Sequence, residues 1–310
     1  MPAPKKLGST DALILLAVLF WGLNLTMVKI ALVHLSPHAF NSIRLSASAV
    51  ILFVILALRR EPLGLNRKDL LAVVVLGILG NFCYQYLFIQ AINLTSASNT
   101  SLILATSPIF IALISWAFKI ERLSWPGWMG IVISFVGLYL VISQQSGGFH
   151  FSGDNWKGDV MILAGNVFWA SYTVFSKPLL ARMSPLKFST LTLAAGALVY
   201  LLFAVPHLKA QPWGGVTAGS WLSLAYSGLF AIVLGYVFWY KSVKEVGNTK
   251  TAIYNNLTPI LAVLFAFLFL GERIRGMQIL GAAIILAGVY LTRTGDRFFV
   301  KNKVVSHMAE

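Results

Sequence analysis

Residues 11–37 read DALILLAVLFWGLNLTMVKIALVHLSP, and residues 159–185 read DVMILAGNVFWASYTVFSKPLLARMSP. At a shift of 148, nine of 27 positions are identical: Asp11/Asp159, Ile14/Ile162, Leu15/Leu163, Phe20/Phe168, Trp21/Trp169, Lys29/Lys177, Leu32/Leu180, Ser36/Ser184 and Pro37/Pro185. Each stretch is long and apolar enough for a helix that crosses a bilayer, which takes roughly 20 apolar residues. A shift of 151 aligns 100–140 with 251–291 at 12 of 41 identities, among them Pro108/Pro259, Glu121/Glu272, Arg122/Arg273, Gly130/Gly281 and Gly137/Gly288. Apolar composition alone does not return Trp, Lys, Pro and Glu-Arg in the same order twice. The chain is a tandem repeat.

Composition fixes the solvent. Of 310 residues 58% are hydrophobic and 11% charged, against roughly 25% charged in an average soluble domain. That excludes a disordered chain and an ordinary water-soluble domain. The chain reads as an all-α membrane protein with ten transmembrane helices, near 11–33, 38–58, 70–91, 97–118, 125–143, 158–181, 187–205, 219–241, 250–270 and 276–293. Around them lie an N-terminus at 1–10, a first repeat at 11–143, an outer linker at 144–157, a second repeat at 158–293 and a basic tail at 294–310. Five helices per half is an odd number, so the second half enters the bilayer inverted. Two inverted repeats around a mid-membrane path are a plan of secondary transporters.

The net charge of +14 does not mark a nucleic-acid partner, because the basic residues sit in the short gaps between spans. With the N-terminus inside, 17 Lys and Arg fall on the cytoplasmic side and four outside. This bias puts both termini in the cytoplasm, and the expected partners are a lipid bilayer and a small-molecule substrate. The single cysteine, Cys83, permits no internal disulfide. No His-Glu-x-x-His, phosphate loop or intramembrane Asp pair is present, so no catalytic residue, metal or cofactor is assigned.

Phe20-Trp21-Gly22-Leu23-Asn24 through Lys29, Ala97 through Pro108, Ile253-Tyr254-Asn255-Asn256-Leu257-Thr258-Pro259 and Leu270-Gly271-Glu272-Arg273 resemble the EamA-type transporters of the drug/metabolite transporter superfamily. The resemblance runs from about 11 to 293. It implies two inverted five-helix EamA repeats and export of small metabolites such as amino acids across a bacterial inner membrane. The first half departs from the motif, with Lys119-Ile120-Glu121 where Leu-Gly-Glu is usual.

The candidate substrate site is polar but holds no acid. All ten acidic residues lie at helix ends, loops or tails, whereas a cationic-drug/proton antiporter wants a carboxylate in mid-span. Two cations, Lys29 and Arg44, fall inside helices 1 and 2 and need compensation there. A guanidinium facing the path would grip a substrate carboxylate; the structural alternative is snorkelling to headgroups. Lys177 reads as a snorkelling anchor. Asn24, Asn81, Tyr84, Gln85, Trp169, Tyr172, Tyr236, Trp239, Tyr240, Asn255 and Asn256 are polar or aromatic groups inside spans. They must find partners away from lipid, either as lumen lining or as contacts between helices. Pro108 and Pro259 are expected to kink helices 4 and 9 in mid-span as a paired gating hinge. The glycines seven apart, 130/137 and 281/288, read as sites of close helix contact. The expected activity is export of zwitterionic or neutral metabolites by alternating access. The alternatives are a proton-coupled exporter of cationic drugs and a lipid-handling or scaffold protein that moves no solute.

Overall fold

The computed structural model describes residues 8–94, 100, 103–143, 156–261, 264 and 275–306, without the side chains of 93, 142 and 295–306. Among them there is no strand. The helices are α1 (Ser9–Leu32), α2 (Pro37–Leu58), α3 (Arg67–Gly77, continuing through Ile78–Cys83 to Tyr84–Leu94), α4 (Ser107–Ala117) and α5 (Trp125–Ile142). The second half gives α6 (Trp156–Leu180), α7 (Pro185–Ala210), α8 (Ala218–Tyr226, Ser227–Leu234, Gly235–Val246), α9 (Asn248–Ala252, then a 3-10 stretch Ile253–Leu257) and α10 (Gly276–Ser306). Six of them (α1, α2, α3, α7, α8 and α10) are long and apolar enough to cross a membrane, and α4 and α5 are shorter apolar helices. The 270–273 motif with Glu272, the stretch 95–99 and most of the 144–157 linker lie outside the described residues.

The starts of these helices follow from sequence. Ser36-Pro37 and Ser184-Pro185, mates in the repeat, open α2 and α7 with proline in the first turn, where its missing N–H costs nothing. Ser184 Oγ accepts from Lys187 N at 3.0 Å, and Asn66 Oδ1 accepts from Asp69 N at 2.8 Å to cap α3. Outward faces carry Val54, Leu202, Leu222, Ile279 and Leu286, all exposed. Water would penalise such a surface, and a bilayer does not.

The 151-residue register appears in space at α5 and α10. A Cβ on Gly130 would stand 2.7 Å from Gly288 O, and one on Gly137 would stand 2.6 Å from Gly281 O. Rising numbers on α5 meet falling numbers on α10, so these two repeat mates run antiparallel and touch backbone to backbone. Between apolar helices in lipid, packing and close approach supply the attraction that hydrophobic burial supplies in water. Alanine at Gly137 should therefore lower stability by about 1–3 kcal/mol through overpacking. A thermal-unfolding shift in detergent measures it, with Gly64, which has open space beside it, as the neutral control.

α3 and α8 each contain a wide-turn π segment, Ile78–Cys83 and Ser227–Leu234. Shifting the first by 151 lands it within the second. Such segments release backbone carbonyls from the helix ladder, and side chains take them up. Trp21 Nε1 donates to Ala231 O at 2.8 Å, and Ser48 Oγ donates to Gly228 O at 3.0 Å. Glycines let neighbours close around the bulges: a Cβ on Gly80 would overlap the Tyr172 ring. Period-3.6 reasoning sees α3 and α8 as unbroken spans and misses both segments.

Candidate functional site

A cavity of about 100 Å³ lies between the halves, with room for several waters or one small solute. Trp21, Asn24 and Leu25 of α1, Arg44 of α2 and Tyr84, Gln85 and Phe88 of α3 form one side. Trp169 of α6, Ile232 and Tyr236 of α8, and Asn255 and Thr258 face them, with Ser107 from the start of α4. Most of these positions fall near the middle of their helices, so the cavity lies near mid-height of the bundle.

Arg44 is 1% exposed. Its Nη1 donates to Ser227 Oγ at 2.8 Å, and its Nη2 to Gln85 Oε1 at 2.7 Å and to Asn41 Oδ1. Ser227 passes the bond on to Asn24 Oδ1, and Gln85 Nε2 donates to Tyr236 Oη at 2.9 Å. Among the described residues, every hydrogen-bond acceptor around this buried cation is neutral, and its Nε–H has no partner. Among the described residues no carboxylate lines the cavity. Three dipoles spread the charge but do not cancel it, so an entering anionic group meets a full positive charge in a low-dielectric site.

The aromatic wall is built across the repeat. Trp21 and Trp169, mates at the 148 shift, meet edge to face at 5.8 Å between ring centroids. Tyr84 and Tyr236 flank Trp169 at 5.2 and 5.7 Å. Gln85 and Tyr236, joined by their hydrogen bond, are mates at the 151 shift. Mates of the two repeats thus meet at the cavity.

Of the residues singled out from sequence, Asn24, Arg44, Tyr84, Gln85, Trp169, Tyr236 and Asn255 line this space. Trp239, Tyr172, Tyr240 and Asn81 are buried one layer behind it. Trp239 packs on Trp21, and Tyr172 Oη shares a hydrogen bond with Thr192 and accepts a long one from Asn81. Asn256 turns away and donates to Ser134 Oγ at 2.7 Å, a contact between helices. Lys29 is exposed and does not line the cavity; the structure does not bring it to Arg44. Pro108 is corrected in place: it is the second residue of α4, not a mid-helix kink. The expected span breaks just before it, and Asn166 of α6 fills the break, donating to Ile103 O and Thr106 Oγ1 and accepting from Ser107 Oγ. Pro259 likewise follows the 3-10 stretch at the start of a new helical turn. Ser107 and Thr258, mates that precede the two prolines, both reach the cavity. Sequence reading passed over them, with Trp21, Asn41 and Ser227. The register itself was the available signal, since it pairs Trp21 with Trp169 and Ser107 with Thr258.

Three ion pairs gather at the end of the bundle where α1 begins. Asp11 Oδ1 accepts from Arg293 Nη2 at 2.9 Å and Tyr254 Oη at 2.6 Å, and Asp69 pairs with Arg182 at 2.9 Å. Glu121 pairs with Lys177 and accepts from the backbone N–H of Asn248 at 2.6 Å and Thr249 at 3.1 Å. Lys177 is therefore an ion-pair partner, which corrects the snorkelling assignment. Each of these three pairs joins the first half to the second.

A multi-pass helical membrane protein in two related halves, with a polar cavity at their interface and ionic locks across it, has the construction of a solute carrier. The EamA-like transporter family model matches residues 8–143 and again 156–294, and the chain belongs to that family, within the drug/metabolite transporter superfamily. It is 29% identical to the uncharacterized transporter YyaM of Bacillus subtilis, covering 89% of this chain and 90% of that one. It is 28% identical to a probable terminal-alkyne amino-acid exporter of Streptantibioticus cattleyicolor over 92% of this chain and 94% of that one. A crystal structure with 19% identity superposes with a TM-score of 0.77 over 92% of this chain and 96% of that one, a likeness of fold.

Proposed function

We propose that this chain is a secondary transporter that exports small zwitterionic or neutral metabolites, amino acids or similar, by alternating access. The observation that carries the reading is Arg44: a buried cation on a cavity near mid-height of the bundle whose described lining is otherwise neutral and aromatic. A solute carboxylate answers that charge, and the indole and phenol rings accommodate an apolar side chain. The relative named as an amino-acid exporter supports the same substrate class. In this reading the chain crosses a bacterial inner membrane ten times as two inverted five-helix repeats, with both termini in the cytoplasm. The ionic locks then close the cytoplasmic end, and the helix breaks before Pro108 and Pro259 serve as hinges.

Solute flux in proteoliposomes tests it, with a panel of labelled neutral amino acids and one cationic dye, each with and without a pH gradient. Saturable amino-acid flux is the expected result, and its response to the gradient identifies the coupling. Gradient-driven dye flux without amino-acid flux would replace this reading with a cationic-drug exporter. No flux of any solute would favour a lipid-handling or scaffold role.

A further inference from the structure

Gln85 occupies an unusual position for a neutral side chain. It is 4% exposed, lines the cavity, and aims Oε1 at the Arg44 guanidinium from 2.7 Å. This is where a carboxylate would form an internal ion pair, as acids do with Arg293, Arg182 and Lys177 at the terminal end of the same bundle. At the cavity the chain supplies an amide instead. The other groups on the guanidinium, Ser227 and Asn41, are neutral too.

We propose that Gln85 is the residue that sets charge selectivity: its neutrality leaves the Arg44 charge uncancelled, and the site therefore selects solutes that carry a carboxylate. The inference rests on the reading of this cavity as the solute site, and it narrows that reading. A carboxylate is the required group, and an ammonium is tolerated without being recognised. A solute oxygen gains the guanidinium by displacing Gln85 Oε1. That frees an amide whose other end is bonded to Tyr236 of the second half, so the displacement is felt across the repeat interface. Glutamate at 85 has nearly the same shape and would hold Arg44 as an internal anion, closing the site to carboxylates.

Three probes with one side chain test this: L-leucine, its amide L-leucinamide, and 4-methylpentanoate, which lacks the amine. Binding is read from the tryptophan fluorescence of purified protein, since Trp21 and Trp169 line the cavity. Wild-type protein should bind leucine and 4-methylpentanoate and prefer both to leucinamide by at least tenfold. Gln85→Glu should weaken both carboxylates by tenfold or more and make leucinamide the preferred probe. Gln85→Met, neutral and of similar length, should keep the wild-type order, which separates charge from shape and guards against a glutamate variant that fails to fold. Gln85→Glu protein that keeps the wild-type order, or Gln85→Met protein that inverts it, would overturn the inference. Wild-type protein that binds neither carboxylate would overturn the parent reading, and this one with it.

Discussion

Arg44→Ala should reduce transport of carboxylate-bearing solutes by at least about 30-fold in kcat/KM. Removing one partner of a buried, hydrogen-bonded charge pair costs about 2–5 kcal/mol, and the low end of that range is already a factor of about 30. The geometry argues for the full effect. Arg44 is the cavity's one described cation, and among the described residues no lining side chain offers a second charge to the same space. Arg44→Lys keeps a charge but loses the planar fork that reaches Ser227, Gln85 and Asn41 together, so it should recover only part of the loss. Initial rates in proteoliposomes measure the effect. Size-exclusion profile and unfolding temperature must accompany them, because three polar side chains lose their donor in the variant. A folded Arg44→Ala protein with wild-type rates would mean that the guanidinium only ties α2, α3 and α8 together.

The second large effect is expected at Glu121. Its carboxylate holds Lys177 of α6 and the first N–H groups of α9, so one residue of the first half fastens two helices of the second. Deleting one partner of a buried pair costs about 3–5 kcal/mol. Lys177 is 35% exposed, so solvent screens the pair and Glu121→Ala falls below that range, at about 2 kcal/mol. Gly247, with φ +98° and its Cα facing Glu121 Oε1, lets the chain turn sharply into the start of α9. Thermal unfolding should drop by about 4–8 °C, taking roughly 2–4 °C per kcal/mol. Glu121→Gln should fall between, because an amide oxygen still accepts from the α9 backbone. In a double-mutant cycle, Lys177→Ala should add little once Glu121 is gone. An alanine variant within 1 °C of wild type would show that the α6–α9 junction holds without the pair.

Much of the fold was legible because membrane helices announce themselves by length and composition, and because tandem copies carry their register openly. Trp21/Trp169 and the glycine pairs 130/281 and 137/288 are visible in the letters; in space Trp21 meets its mate, while the glycines meet crosswise, Gly130 on Gly288 and Gly137 on Gly281. The site was legible only by kind. A polar or aromatic residue within a span must turn from lipid, but two layers of the bundle interior satisfy that demand equally. Asn255 and Tyr236 therefore reach the cavity, while Asn256 and Tyr240 are spent on packing. Proline reveals that a helix is interrupted, not whether it bends or begins there, and Pro108 begins one. Glu121 and Lys177 are 56 residues apart, and nothing local to either names the other.

Arg44 has a mate in the repeat. The 148 shift that pairs Trp21 with Trp169 pairs Arg44 with Thr192, which is buried and bonded to Tyr172 Oη at 2.7 Å. An assembly of two identical halves would have no such freedom: every residue near a two-fold axis appears twice, and a lone cation would become a repelling pair inside a dry space. Fusing the halves into one polypeptide lifts that parity rule. The shell stays nearly symmetric, while the interior carries an odd charge and has a front and a back. A solute with one charged end can then be held in a single orientation.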